Sequence, residues 1–470
     1  MVRETSPPGG LLPRIVTADL TVVYLVLGLF SVLSLAFLTP PFQVPDEQQH
    51  FFRTYQLSEM RAQAVVQDGA AGDILPSSLP AIADAFLGTS ELHTKRDIPA
   101  SPLLKTLSKL YVPLDPQRRE FVNFSGAAFY SPLPYLPQIA AISAGRALGL
   151  GPLGLLYAGR LANGLAALLI IALSLRIFPF GNLAIFVSAM LPMTIFEVAS
   201  VSPDAAIIAT TFLFSAIALR ARERGFWRLG DVFVASLCGV VFCPLKPVYA
   251  PLLVIGLPGI FRRGSSRNVL AAQIVLVITA LGTTAIWTKY SLSSFAQPHP
   301  GANLPEQLAG MIANPGHFAY ILLDSFYSFW RPWIVESIGK LGWLTITLPP
   351  VMYVLPAIAG LLGLMSSQAA AASHVGRFDA CWDLVLVVAS ALLVLIAVYL
   401  YWSAVGSPVI DGVQGRYFLP LAGLLLATVS AAMPSRLRLR SSTIVSFVIV
   451  VVAAEVVMTD IVVMRAYQVF

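Results

Sequence analysis

The chain has 470 residues, of which 57% are hydrophobic and only 11% are charged. Soluble domains carry about 25% charged residues, so this composition excludes a water-soluble protein and indicates a polytopic membrane protein. The net charge of +6 does not indicate a nucleic-acid-binding protein, because the arginines lie in short clusters between apolar runs. Clusters in such positions set the orientation of membrane helices.

Nine apolar runs have the length of membrane spans. The first run, 15–38, is longer than the apolar core of about 7–15 residues in a signal peptide, and no small-residue cleavage site follows it. We therefore predict that this run is an uncleaved first span. The other eight spans are predicted at 153–176, 181–199, 203–219, 268–289, 345–365, 382–403, 418–433 and 443–464.

A further apolar run, from Asp231 to Phe261, is interrupted at CPLKPVY, where two prolines flank Leu245 and Lys246. A proline inside a helix removes a backbone donor and clashes with the preceding turn. The sequence therefore predicts two half-length helices, 231–243 and 247–261, in place of one span. With the nine spans, these make eleven membrane segments.

Arginine-rich loops give the orientation, since lysine and arginine in short loops favour the cytoplasmic side. The loops 220–228, 261–267 and 436–440 carry four, three and three arginines. We expect all three loops to face the cytoplasm. The broken pair then dips outward and returns, so that Lys246 lies deep in the membrane or near the outer face.

This orientation places the large loop 39–131 outside. Counting the apolar segment 132–149 as a span would move the arginine-rich loop 220–228 to the outer side, so we predict an interfacial or re-entrant helix there. The outer loop 290–344 contains FYSFWRPW at 326–333. Tryptophan and tyrosine favour membrane interfaces, so this stretch is predicted to be an amphipathic interfacial segment.

The stretch after the first span, PPFQVPDEQQHFFR, carries Asp46, Glu47 and His50. Pro45 is typical of the first position of a helix, which would place Asp46 and His50 on one face at i, i+4. The helix dipole would stabilise the Asp46 anion, which can accept a proton from a hydroxyl nucleophile or hold a divalent cation. The alternative is that both acids only favour the start of a helix.

A second acid, Asp204, follows Ser202 and Pro203 at the start of another span and is predicted to face the same outer side as Asp46. Ionisable groups at membrane depth are costly and are usually functional. The alternative is again an acid that only favours the start of a helix.

Lys246 is the one lysine of an apolar run, and no acid lies between its two ends, Asp231 and Phe261. Both ends are too remote for the side chain to reach water there. We predict that Lys246 binds a phosphate; the alternative is a buried structural ion pair.

Arg416 lies in SPVIDGVQGRYFLP, an outer loop that leads into a span. Gly412 and Gly415 are predicted to let the backbone approach a ligand, and the guanidinium suits phosphate or carboxylate. Asp411 is the nearest acid in sequence that could pair with Arg416. Weaker candidates in the aromatic outer loop, expected to be interfacial salt partners, are Asp324, Arg331 and Glu336.

Aromatic residues of the outer loops have two interpretations. They could stack on sugars, or they could anchor the protein at the membrane interface. The residues concerned are Phe51, Phe52, Tyr55 and Tyr130.

The sequence has no Walker loop, no dinucleotide glycine fingerprint and no HExxH motif, and it has no cytoplasmic domain large enough for a nucleotide donor. We therefore expect an activated substrate to arrive through the membrane on a lipid carrier.

Four motifs, PPFQVPDEQQHFFRTYQ, SVSPDAAIIA, LKPVY and VQGRYFLP, occur in this order over nearly the whole chain. Together they resemble the bacterial membrane proteins grouped as domain of unknown function family 2142, which resemble the glycosyltransferase-C superfamily. The first and last motifs are the specific ones. The resemblance implies an all-α helical bundle in the bacterial cytoplasmic (inner) membrane, with interfacial helices in its first outer loop. It divides the chain into a module at 1–289 and a module at 290–470.

The resemblance also implies an activity and site residues. Such enzymes transfer a sugar from a polyprenyl-phosphate or pyrophosphate donor on the outer, periplasmic face. Asp46 matches the acid of the first outer loop, with Glu47 adjacent, and Asp204 matches a second acid. Lys246 resembles the lysine at the helix break of the lipid-A aminoarabinose transferase branch, and Arg416 with Tyr417 would bind the donor phosphate.

A metal is not assigned, because the metal-dependent oligosaccharyltransferase branch has a fuller set of acids. Asp46 and Asp204 would hold a divalent ion if one is bound.

The expected function is therefore inverting transfer of a sugar from a polyprenyl-phosphate-linked donor to a glycan or lipid-linked acceptor. Asp46 would be the general base, oriented by Glu47 or His50. The alternatives are a transporter or flippase of lipid-linked glycans, a glycan polymerase, or a scaffold without catalysis. A transporter is expected to have broken helices in both halves of the chain, whereas the sequence indicates one break, at Lys246.

Overall fold

The computed structural model describes residues 19–87, 102–261, 266–295, 301–366, 376–434 and 442–468. In these ranges seven helices are long and apolar enough to cross a membrane, which confirms a helical polytopic membrane protein. They are Leu20–Leu38, Pro152–Ile177, Asp204–Arg224, Ser266–Ser294, Arg377–Tyr401, Gly415–Ala432 and Ser442–Ala466. Three predicted features fall wholly or partly outside the described residues: the start of the first span (15–18), most of loop 261–267, and loop 436–440.

The α-helices and strands follow in chain order. The α-helices are α1 Leu20–Leu38, α2 Glu47–Ser58, α3 Ser78–Leu87, α4 Pro102–Lys109, α5 Leu136–Ala147, α6 Pro152–Ile177, α7 Asn182–Ala189, α8 Pro192–Val198, α9 Asp204–Arg224, α10 Leu229–Phe242, α11 Ser266–Ser291, α12 Leu304–Ala313, α13 Pro315–Gly339, α14 Val351–Met365, α15 Arg377–Tyr401, α16 Leu419–Ala432 and α17 Ser442–Ala466. The strands are β1 Val65–Gln67, β2 Ala70–Pro76, β3 Arg119–Asn123, β4 Lys340–Leu341 and β5 Ile346–Thr347.

The long helices form a bundle with two ends, which we name the Arg222 end and the Asp46 end after a residue at each. At the Arg222 end, the last turn of α9 meets the start of α15, where Arg222 Nη2 lies 2.6 Å from Asp383 Oδ2. The start of α11 reaches the same end, because the backbone N–H of Trp227 donates to Asn268. At the opposite end, the first residue of α9, Asp204, meets the tip of the broken segment.

The broken segment is a hairpin whose tip is Lys246. Its first arm is the helix α10, as predicted. Its second arm consists of two 3-10 helices, Pro247–Val254 and Leu257–Phe261, and not of one α-helix. Pro251 inside the first of them supplies no backbone donor, which prevents a continuous α-helical ladder. The first arm starts at the Arg222 end and the second arm finishes there, so the tip of the hairpin lies at the Asp46 end.

The predicted span 181–199 is also interrupted, contrary to expectation. Helix α7 ends at Ala189, and α8 begins at Pro192, whose ring lacks the N–H that would continue the ladder. The chain thus has a second broken segment. It places Glu197, near the end of α8, in the buried interior.

The segment 132–149 forms a 3-10 turn, Leu133–Tyr135, followed by α5. The twelve residues of α5 are about 18 Å long, shorter than the hydrocarbon core of about 30 Å. Helix α5 packs on α2 and α6, and Arg146 donates to the carbonyl of Ser58 at the end of α2.

A small layer of strands covers the loop side of α2. Strands β1, β2 and β3 form an antiparallel sheet in the order β1-β2-β3, with Gly72 opposite both Val65 and Asn123. Arg119, from β3, binds Glu59 at 2.6 Å, next to the last residue of α2. The sheet therefore fixes the far end of the helix that follows Asp46.

The predicted interfacial stretch 326–333 is part of the continuous helix α13, which packs on α8 and on the 3-10 turn Gly415–Phe418. Tyr327 is 81% exposed, whereas Trp333 is 7% exposed and belongs to a hydrophobic cluster with Tyr399. The stretch therefore has an outward and an inward face, and α13 borders the candidate site.

Candidate functional site

Asp46 is the most exposed acid of the site, and its backbone differs from the prediction. It has φ 62°, in the left-handed region, and it precedes α2, which begins at Glu47. Pro45 is therefore not the first residue of the helix, and Asp46 does not lie in its first turn. Asparagine and aspartate are the residues that most readily adopt this conformation after glycine. The side chain of Asp46 is 38% exposed, and its Oδ2 accepts from Nη2 of Arg416 at 3.0 Å.

Arg416 is the centre of the site. Its side chain is 4% exposed, and Nη1 donates to Oε1 of Glu197 at 2.9 Å. Its Nε lies 3.9 Å from Oδ2 of Asp204. The guanidinium therefore links carboxylates from the Asp46 loop, from α8 and from α9.

The turn that carries Arg416 is held by α13. The backbone N–H of Gly415 donates to Oε2 of Glu336 at 3.0 Å. A Cβ on Gly415 would collide with the carbonyl of Trp333 and the backbone nitrogen of Ser337. Glu336 is thus a buried positioning residue of this turn, in addition to the salt partner of Lys340 at 3.9 Å.

Two predictions about the loop before Arg416 are wrong. Asp411 accepts from Ser407 Oγ at 3.2 Å, and Arg416 pairs with other acids. Gly412 has φ 86°, and a Cβ there would collide with the indole of Trp402. Both loop glycines therefore permit close packing within the protein, and neither marks an approach to a ligand.

Lys246 lies beside this centre, as the topology predicts. Its Nζ is 2.5 Å from Oδ1 of Asp204 and 4.7 Å from the centre of the Tyr417 ring. The side chains of Lys246 and Asp204 are 19% and 13% exposed. The ion pair named as the alternative for Lys246 is thus present, and part of the lysine side chain stays exposed.

The tip of the hairpin is fixed by a tyrosine. The hydroxyl of Tyr249 donates to the carbonyl of Tyr417 at 2.8 Å. This bond ties the segment that carries Lys246 to the segment that carries Arg416.

Glu47 does not have the predicted role beside Asp46. It is fully buried, and both of its oxygens bind Arg160: Nε lies 2.8 Å from Oε1 and Nη2 lies 2.6 Å from Oε2. Its oxygens also accept from the backbone N–H groups of Phe42 and Val201. A carboxylate with these four partners has no free position for a substrate. Its role is to join the start of α2 to α6.

His50 likewise does not have the predicted role of orienting Asp46, because its described contacts are with tyrosines. Its Nδ1 lies 2.8 Å from the hydroxyl of Tyr135, and its ring is nearly parallel to that of Tyr130 at 6.0 Å. Burial lowers the pKa of His50 to about 4, against the smaller opposing effect of Asp46. His50 is therefore neutral near pH 7, and Arg416 takes the place of Glu47 and His50 in orienting Asp46.

Most of the aromatic residues considered for sugar stacking belong to the core. Phe51, Phe52 and Tyr55 are at most 5% exposed and pack in the cluster under the sheet, so they neither stack on sugars nor anchor at an interface. Tyr130 is half-buried and lies beside His50. Tyr130 thus stays a candidate for sugar contact.

The remaining two weaker candidates lie away from these contacts. Arg331 is exposed and stacks on Trp330 at 5.2 Å, and Asp324 is half-buried on the same helix. Their interfacial role stays a prediction.

Two residues of the site region were missed in the sequence. Glu197 lies inside the apolar run 181–199, and Arg160 lies inside 153–176. A single charge at membrane depth is the signal that points to such residues, because it must find a partner or a function.

The site holds an alternating set of charges: the carboxylates of Asp46, Glu197 and Asp204, and the cations Lys246 and Arg416. Asp46 and Asp204, the suggested metal ligands, are each directed at a cation. Among the described residues, no three His, Cys, Asp or Glu side chains are grouped to hold a metal ion. These residues do not fit a divalent ion, and we derive no step through one.

The family model described as "Predicted membrane protein (DUF2142)" matches residues 29–425. The chain belongs to this family. The matched region contains all five charged residues of the site, and α17 lies beyond it. Comparison with curated proteins found no match, and comparison with solved structures found none.

Proposed function

We propose that the protein is a membrane-embedded, inverting glycosyltransferase that takes a sugar from a polyprenyl-phosphate or pyrophosphate donor. The observation that carries the proposal is the pairing of a partly exposed carboxylate, Asp46, with the buried guanidinium of Arg416, next to the half-buried ammonium of Lys246. This arrangement combines a carboxylate that can act as a base with a cation for a leaving phosphate.

Asp46 has the role of general base. Its contact with Arg416 orients it through Oδ2 and leaves Oδ1 for the acceptor. The acceptor hydroxyl gives its proton to Asp46 as its oxygen bonds to the anomeric carbon of the donor. The bond from that carbon to the phosphate oxygen breaks at the opposite side, which inverts the configuration.

Lys246 has the role of phosphate ligand. An ammonium has three donors, and the bond to Asp204 uses one of them. The others can bind phosphate oxygens and stabilise the charge that develops on the leaving group. Arg416 is buried and occupied by Asp46 and Glu197, so in this proposal it positions the base and does not contact the phosphate.

The proposal includes a glycosyltransferase-C-like topology of eleven membrane segments. The seven long helices supply seven. The interrupted segment α7–α8, the two arms of the Lys246 hairpin and α14 supply the other four. The Asp46 end would face the periplasm across a bacterial inner membrane, with the arginine-rich Arg222 end in the cytoplasm.

A transporter of lipid-linked glycans is the second candidate function. The break between α7 and α8 gives the chain a second interrupted segment, as many transporters have. The two functions differ in their need for Asp46 as a base.

Mass spectrometry of surface glycans and lipid-linked glycans separates the two functions. We compare wild type, a deletion strain, and the deletion complemented with Asp46→Asn or with Asp411→Asn at matched expression. Asparagine retains the left-handed backbone and an oxygen for Arg416. Asp411 serves as the matched control, because its contacts lie outside the site.

A transferase predicts that the deletion and Asp46→Asn both lack one defined sugar while the carrier-linked sugar accumulates. The loss in rate should be about 100-fold or more, as for removal of a general base, and Asp411→Asn should restore the glycan. Full restoration by Asp46→Asn would rule out the base and favour transport.

A further inference from the structure

A groove with a volume of about 620 Å³ lies at the Asp46 end, between the last turn of α17 and the segment 345–349 that contains β5. Its lining is mainly apolar, with Leu348, Val462 and Ala466 among its residues. Gln43 also contributes to the lining, and Arg465 supplies a cation. We name this feature the Arg465 groove.

The groove continues into the lipid-facing surface of α17. Val450, Val457 and Ile461 are 66%, 51% and 37% exposed along a helix that is apolar enough to span the membrane. Arg465 follows Ile461 by one helical turn and is itself exposed. A lipid chain on this face of α17 would therefore bring its headgroup to the guanidinium.

The groove is also connected to the site by a short, fixed loop. Gln43 precedes Asp46 by three residues, so their Cα atoms are separated by at most about 11 Å. Phe42 anchors this loop: its N–H donates to Glu47 at 3.0 Å, and its carbonyl accepts from Trp343 at 3.1 Å. A headgroup in the groove lies within a few sugar lengths of the proposed base.

Lys246 approaches Asp46 from a different part of the bundle. It follows α10, which packs on α9 and α11, whereas α17 packs on α1 and α14. Lys246 and Arg465 thus reach the Asp46 end from different parts of the bundle. A reaction with two lipid-borne substrates needs two such positions.

We propose that the Arg465 groove binds a second lipid phosphate, which is the acceptor substrate. This inference rests on the proposed transferase function and deepens it. The guanidinium would bind the phosphate by parallel N–H donors, and the apolar lining and α17 would cover the hydrocarbon chain. The acceptor glycan would then extend from the phosphate past Gln43 to Asp46.

Arg465 also has an ordinary structural role to be excluded, since a cation in the last turn of a helix stabilises the helix dipole and can reach the membrane surface. Lys289 is the matched control. It lies in the last turn of α11, which also finishes at the Asp46 end, beside an exposed apolar surface. Lys289→Gln and Arg465→Gln therefore each remove a cation that stabilises a helix dipole and can reach the membrane surface.

The test uses the full-length protein in phosphatidylcholine nanodiscs with a polyprenyl phosphate that carries a photoreactive group next to its phosphate. Labelled peptides should contain residues 343–349 or 462–467. Arg465→Gln should lower this labelling by about tenfold to a hundredfold, the range of a charge-assisted hydrogen bond, whereas Lys289→Gln should not. Unlabelled polyprenyl phosphate should compete, and uncharged polyprenol and phosphatidylglycerol should not.

Equal labelling of wild type and Arg465→Gln would overturn the groove proposal, as would equal competition by phosphatidylglycerol, which would identify an ordinary lipid site. Asp46→Asn should keep the labelling and lose transfer. If Asp46→Asn loses transfer while Arg465→Gln retains both labelling and transfer, the groove proposal fails alone. If Asp46→Asn retains transfer, the proposed function itself fails.

Discussion

Replacing Glu47 with glutamine removes the charge of a fully buried ion pair and preserves the size of the side chain. In the wild type, Arg160 binds both oxygens of Glu47, and both residues are 0% exposed. The backbone N–H groups of Phe42 and Val201 also donate to these oxygens. Glutamine has one acceptor oxygen, so its NH₂ group would face at least one donor.

Removing one partner of a buried ion pair costs about 3–5 kcal/mol, because the other charge stays buried. Arg160 keeps hydrogen bonds to the carbonyls of Ala36, Thr39 and Pro40, and glutamine keeps one oxygen. We therefore expect a loss in the free energy of unfolding at the lower limit, about 3 kcal/mol.

The assay is thermal unfolding of the purified protein in detergent, followed by circular dichroism, with glycan transfer measured on the protein that stays folded. Asp383→Asn is the matched control at the Arg222 end, since Arg222 binds both of its oxygens at 2.7 and 2.6 Å. Both variants should unfold several degrees below wild type. Only Glu47→Gln should also lose transfer per folded molecule, because Glu47 holds the loop that positions Asp46.

A double variant, Glu47→Leu with Arg160→Met, should recover part of the lost stability, since neither charge is then buried without a partner. The recovery is incomplete because the backbone N–H groups of Phe42 and Val201 lose their acceptor. An unfolding temperature of Glu47→Gln equal to that of the wild type would refute the reasoning. So would a double variant that is as unstable as the single one.

Two further predictions concern His50 and the turn before Arg416. Burial lowers the pKa of His50 from 6.5 to about 4, so the unfolded chain binds a proton at a higher pH than the folded protein does. The free energy of unfolding should therefore fall by about 3 kcal/mol in total as the pH decreases from above 6.5 toward 4. His50→Gln should remove that part of the pH dependence of urea unfolding, and an unchanged dependence would contradict it. Gly415→Ala should cost about 1–3 kcal/mol and reduce transfer, since its Cβ collides with α13. Gly230→Ala, where a Cβ meets no atom within 4 Å, should do neither, and equal behaviour of the two alanine variants would be evidence against the proposed packing.

The meeting of Asp46, Asp204, Lys246 and Arg416 was predictable from the sequence. Apolar runs and arginine clusters assign each residue to one end of a bundle. Charged groups at the same end of a compact bundle are expected to pair with one another, because a lone charge at membrane depth is costly. The hairpin at Lys246 was also predictable, because two prolines mark its tip.

The partners of each charge were not predictable. Glu47 and Asp46 are neighbours, yet one is fully buried against α6 and the other is exposed beside Arg416. The difference accompanies the positive φ of Asp46, after which the helix starts at Glu47, two residues later than the proline suggests. No local pattern specifies that rotation. It depends on Arg160, whose position is set by the packing of α6 on α1.

The interrupted span was missed because apolar composition hides a break. The run 181–199 has the length of one membrane helix. Its sequence does not distinguish a kink at Pro192 within one helix from the start of a second helix there. Only the packing around it distinguishes α7 from α8 and reveals that Glu197 is directed at Arg416.

The contact of Arg416 with Asp46 joins residues 370 positions apart, and this has a consequence for biosynthesis. Helices enter the membrane from the N-terminus as the ribosome makes them. Glu197 and Asp46 are therefore made well before their common cation, Arg416, which lies in the turn that precedes α16. Until then Glu197 lacks the cation that pairs with it in the folded protein, and a lone charge at membrane depth is costly. The last third of the chain thus completes the charge balance of the first half, because Arg416 is the cation that pairs with both acids.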